Sequence, residues 1–116
     1  MNFDQLKVGD TVFCGFVGED DGFLYHSEIS KLRDVGYLQI SLNNGVDYII
    51  FANEKKSTIA EYNGNVISTN SKQAAKWVER KLKRRLTEAE NLIENRKISL
   101  MTFRKKYSKE LNNENI

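Results

Sequence analysis

Apolar and polar residues change their spacing near residue 70: they alternate before it and recur every three to four positions after it. Gly9-Asp10 followed by Thr11 through Val17 predicts a turn leading into a strand, with a bulge or bend at Gly15. After the acidic turn Glu19-Asp20-Asp21-Gly22, Phe23, Tyr25, Ser27 and Ile29 alternate with Leu24, His26, Glu28 and Ser30, as in a half-buried strand. Residues 36–42 place Leu38, Ile40 and Leu42 on one face and Tyr37, Gln39 and Ser41 on the other. Residues 46–52 are apolar on both faces apart from Asp47, which predicts the central strand. Residues 57–62 and 65–68 complete the set. Asn44-Gly45 and Asn63-Gly64 each predict a type I′ hairpin turn.

Beyond Asn70 the period is helical. Ala75, Val78, Leu82, Leu86, Ala89 and Ile93 fall within an arc of about 80° at 100° per residue. Asn70 or Ser71 is placed to cap this helix, with Gln73 at the capping-box position. The helix is expected over 71–95, with a break at Asn95-Arg96-Lys97. Ser99 then caps a second helix carrying Leu100, Phe103, Tyr107 and Leu111 on one face, and 112–116 are expected to fray.

The expected fold is α+β in one compact domain. Residues 1–69 form a small antiparallel β-sheet or SH3-like barrel of five or six short strands, and 70–116 form a C-terminal helical hairpin packed on it. The segment Leu6-Lys7-Val8-Gly9-Asp10-Thr11-Val12 resembles the first strand of small SH3-like barrels.

Composition adds limits. At 116 residues, 40% hydrophobic and 29% charged, the chain can bury a modest core and is not composed like a disordered one. One cysteine, Cys14, allows neither an intrachain disulfide nor a cysteine-based zinc site. No apolar run approaches the roughly 20 residues of a membrane span, and the first residues lack the pattern of a signal peptide. These features lead to the expectation of a cytoplasmic protein with no membrane partner. Abundant Asn and the absence of Pro suggest an AT-rich genome, such as that of a phage or a low-GC bacterium.

Charge is split by position. Residues 1–71 hold five Lys/Arg against ten Asp/Glu, a net −5; residues 72–116 hold thirteen against six, a net +7. Lys72, Lys76, Arg80, Lys83 and Arg84 project opposite the apolar stripe. The like-charge pairs 72/76, 76/80 and 80/84 each oppose the helix by about 0.2–0.5 kcal/mol. The cations also sit toward the helix N-terminus, where the macrodipole prefers anions. An arrangement that costs helix stability points to an external anion. The function expected is therefore that of a non-enzymatic regulatory or accessory protein. Its five cations would contact the backbone of DNA or RNA with low sequence specificity. The alternative is a protein–protein interaction or assembly module. There the acidic β part and basic helix of neighbouring copies or of an acidic partner protein meet, with a homo-oligomer as one form.

Other residues carry weaker signals. Trp77 lies off the stripe toward the basic side and is expected as a half-buried edge anchor. Trp77, Tyr25, Tyr37 and Tyr48 are the candidate partner contacts. His26, the only histidine, shares a strand face with Glu28, and a Cys14–His26 pair is the one arrangement resembling nucleophilic chemistry. A buried thiol and a surface imidazole are the expected reading. The acidic turn at 19–21 lacks the spacing of a calcium loop. The glycines match no phosphate loop or dinucleotide fingerprint. No catalytic residue, metal or cofactor is assigned.

Overall fold

The computed structural model describes residues 1–112, so the expected fraying of 112–116 lies, from 113 on, outside the described residues. Six strands form in the expected order: β1 (Thr11–Val17), β2 (Gly22–Asp34), β3 (Leu38–Leu42), β4 (Asp47–Ile50), β5 (Ile59–Tyr62) and β6 (Asn65–Ser68). A long helix, α1 (Ser71–Lys106), and a single-turn helix, α2 (Ser108–Leu111), follow. The fold is α+β, as expected. All strand pairs are antiparallel in the order β4-β3-β2-β1-β6-β5, and the two end strands approach one another, so the sheet curls into a nearly closed barrel.

Strand β2 makes the curl possible. Its first half pairs with β1 and its second half with β3, and the register shifts between Ile29 and Lys31. A bulge of this kind bends a strand and lets it serve two parts of a barrel. The Ser30 hydroxyl donates to the Ser41 carbonyl beside the shift, at 3.1 Å. Gly15, expected at a bulge, is in regular register with Leu24 and Val66.

Strand β4 was expected at the centre and lies at the end of the order. Its apolar character has another cause: curling covers the end strand, so Tyr48 and Ile50 are buried although β4 has a single hydrogen-bonded neighbour. Asn63 and Gly64 both have positive φ, 54° and 78°, as a type I′ turn requires. At the β3–β4 turn only Gly45 does, with φ 86°. There Gly45 N–H donates to the Leu42 carbonyl and Leu42 N–H to the Val46 carbonyl. This is a three-residue loop closed by a glycine bulge rather than the expected two-residue turn.

Two apolar layers result. The barrel interior holds Phe3, Val12, Cys14, Ile29, Ile40 and Tyr48 among others. The opposite face of β1 and β6 is covered by the start of α1, through Val66, Ala74, Trp77 and Val78. The described chain divides into two compact units, Met1–Leu82 and Lys83 onward, so the first three turns of α1 belong with the sheet. In the second unit α1 runs through 95–97 without the expected break, and the hairpin expected there is one continuous helix.

Candidate nucleic-acid interface

Helix α1 is fixed at its start. The Asn70 side-chain oxygen accepts from Lys72 N–H (2.9 Å) and Gln73 N–H (3.2 Å), the expected N-cap. Gln73 does not reach back to complete a capping box. Its Oε1 instead accepts from the Thr58 hydroxyl (2.9 Å) and lies 3.1 Å from the Ser68 hydroxyl. Fully buried Ser68 in turn accepts from Asn70 N–H. The helix is thus tied to β6 and to the residue preceding β5.

Close approach of helix to sheet sets which face of α1 is left outward. A Cβ built on Gly15 would lie 2.6 Å from Val78 Cγ2, and one on Gly22 would lie 2.6 Å from Val78 Cγ1. Val78 occupies the space these two glycines leave. With Ala74, Trp77 and Val78 buried, Lys72, Lys76 and Arg80 face outward and are exposed. Lys83 and Arg84, at the start of the second unit, are also exposed. The salt bridges Lys55–Asp34, Lys56–Asp4 and Lys81–Glu61 do not involve Lys72, Lys76, Arg80 or Arg84.

Lys81 of α1 meets a carboxylate of the β part. Lys81 lies 3.9 Å from Glu61 and 5.3 Å from the Trp77 ring centroid. The Trp77 indole N–H donates to the same carboxylate. Trp77 was expected half-buried at an edge; it is buried, 6% exposed, and its one polar atom is taken by Glu61.

The tyrosine candidates separate. Tyr48, expected at the surface, is 1% exposed inside the barrel, a correction that follows from the covered end strand. Its hydroxyl lies 3.0 Å from that of half-buried Tyr25. Only Tyr37 keeps substantial exposure. Burial pushes the Cys14 thiol up from its ordinary value, partly offset by hydrogen bonds to Tyr48 and Tyr25. Burial likewise pushes both phenols up, most strongly that of Tyr48. Cys14 and Tyr25 are register partners facing the interior, whereas His26 pairs with Phe13 on the other face and is exposed. Cys14 and His26 therefore leave opposite faces of the sheet. Among the described residues no three His, Cys, Asp or Glu side chains are grouped to hold a metal ion. No described helix is long and apolar enough to cross a membrane.

A groove of about 530 Å³ went unnoticed in the sequence. Lys31 and Arg33 of β2, Gln39 and Ser41 of β3, and Tyr62 and Asn63 line part of it. The i, i+2 spacing of Lys31/Arg33 and Gln39/Ser41 is visible in the chain. Their juxtaposition is not, because it depends on the register beyond the bulge (Lys31 with Ser41, Arg33 with Gln39). No known protein family, curated protein or solved structure matches this chain.

Proposed function

We propose that this protein is a non-enzymatic accessory or regulatory factor that binds nucleic-acid backbone through the outward face of α1. Lys72, Lys76 and Arg80 carry the contact, and Lys83 and Arg84 add to it. One observation carries the reading: Lys72, Lys76, Arg80 and Arg84 are exposed, and the salt bridges Lys55–Asp34, Lys56–Asp4 and Lys81–Glu61 use none of them. Successive cations four residues apart are separated by about 6 Å along a helix, a spacing that lets one face follow a phosphate track. No base-reading motif accompanies them, so the binding is of low sequence specificity.

Five phosphate contacts would give a slope of about −4.5 in log affinity against log salt, a loss of roughly 500-fold between 50 and 200 mM salt. Titrating labelled DNA and RNA at those two ionic strengths tests this. A steep loss supports the reading, and absence of binding at the lower salt removes it.

A further inference from the structure

The continuity of α1 joins two apolar stripes that the expected break had kept apart. Leu86, Ala89, Ile93, Leu100, Phe103 and Tyr107 follow one another at spacings of 3, 4, 7, 3 and 4, a single heptad series interrupted only by Arg96. Leu86, Ile93, Leu100 and Tyr107 occupy its first core position; Ala89, Arg96 and Phe103 occupy its second. Every residue from 83 to 112 is exposed, including Leu86 (59%), Ile93 (54%) and Phe103 (52%). A seam this narrow, repeating every seven residues over three heptads, is the surface that a second helix of the same period covers.

We infer that this seam pairs with the same seam of a second copy of the chain, as a parallel two-stranded coiled coil. Flanking charge fits a second copy aligned in parallel and in register. In the parallel pairing Arg85, just before a first core position, faces Glu90 of the second copy, just after a second core position, and the contact occurs twice by symmetry. The next such pairs are Leu92 with Lys97 and Ser99 with Arg104, which set no like charges together. In the antiparallel pairing that stacks Leu86 on Phe103 and Leu100 on Ala89, Glu90 still meets Lys97. Lys83 then meets Arg104 and Arg85 meets Lys106, each twice, so repulsion outnumbers attraction. Parallel pairing does bring the two Arg96 side chains into one layer. Their long stems can carry the guanidinium groups outward, and the residual repulsion keeps the dimer weak and concentration-dependent.

Sedimentation equilibrium on the full chain between 1 and 200 μM is the test. A monomer–dimer equilibrium in that range, abolished by Leu100→Asp and tightened at least tenfold by Arg96→Leu, is the expected result. A monomer at 200 μM overturns the proposal. So does a dimer that survives Leu100→Asp or is indifferent to Arg96→Leu, because its interface would lie elsewhere. Tryptophan emission of Trp77 checks that each variant keeps the first unit folded. Direction is read from Leu86→Cys made in a Cys14→Ser background. Parallel pairing sets the two thiols in one layer and gives a disulfide-linked dimer on mild oxidation. A non-covalent dimer without that cross-link overturns the parallel assignment.

Discussion

Gly15 and Gly22 illustrate how much one missing methyl can decide. Both face Val78, and a Cβ on either would meet a Val78 methyl at 2.6 Å, closer than packed carbons come. Gly15→Ala and Gly22→Ala should each destabilise the fold by about 1–3 kcal/mol through overpacking. Adding Val78→Ala should recover part of that loss, because it vacates the same space. Urea unfolding of the single and double variants measures the coupling, and strictly additive losses would show that the glycines act by some other route. Another residue-scale consequence concerns Tyr48. Its phenol is held neutral by burial first and by the Tyr25 hydroxyl second, while an unfolded phenol ionises near its ordinary 10.0. A raised acid leaves stability intact below the unfolded value and erodes it as pH climbs above, by about 1.4 kcal/mol per pH unit while only the unfolded form titrates. Cys14 adds to this from about 9.0 upward. Tyr48→Phe should therefore cost about 1 kcal/mol at pH 7 through the lost hydrogen bond, yet lose stability less steeply between pH 10 and 11. Equal alkaline slopes in the two proteins would refute this account.

At the scale of elements, α1 divides by environment. Its first three turns are packed on the sheet, while residues 83–106 are exposed throughout. A helical stretch without cover opens readily, so its backbone amides should exchange with solvent faster than those of β1 and β6 at micromolar concentration. If the seam pairs, protection between residues 86 and 106 should rise with concentration while that of the strands stays constant. Hydrogen exchange at 2 and 200 μM reads both, and protection of 86–106 that is high and unchanged at the two concentrations would contradict the exposed environment. Much of this architecture was legible in the sequence. The strands followed from period-2 alternation and the helix from the change of period after Asn70. Asn63-Gly64 formed its expected turn. The break at 95–97 failed for a visible reason: Gly64 is the last glycine, the chain has no proline, and a lone Asn followed by Arg and Lys costs a helix only about 0.7 kcal/mol. Asn44-Gly45 became a longer turn, and the edge position of β4 could not be foreseen, because barrel closure is a property of the assembled sheet. Gly15 was recognisable as special, but its partner Val78 lies far along the chain.

For the molecule as a whole, the segregation of charge between the β part and α1 is the feature most in need of a cause. Glu61 of the acidic strands engages Trp77 and Lys81, while Lys72, Lys76 and Arg80 are exposed. If those cations served the fold, removing them would weaken it. If they serve a polyanion, removing them should strengthen the free protein and weaken binding. The double variant Lys76→Gln, Arg80→Gln separates the two, because it deletes all three like-charge pairs (72/76, 76/80 and 80/84) at once. At about 0.2–0.5 kcal/mol per pair, stability should rise by roughly 0.6–1.5 kcal/mol at low salt. That corresponds to a gain of several degrees in Tm for a unit of this size. The gain should shrink as salt is added, since the repulsion it relieves is screened. In parallel, the slope of log affinity for DNA or RNA against log salt should fall by about 1.8, the contribution of two phosphate contacts. Opposite movements of stability and affinity are the signature of a face maintained for an external anion. A double variant that melts lower than the parent would instead mean that Lys76 and Arg80 support the fold, and the case for a polyanion would lose its physical basis.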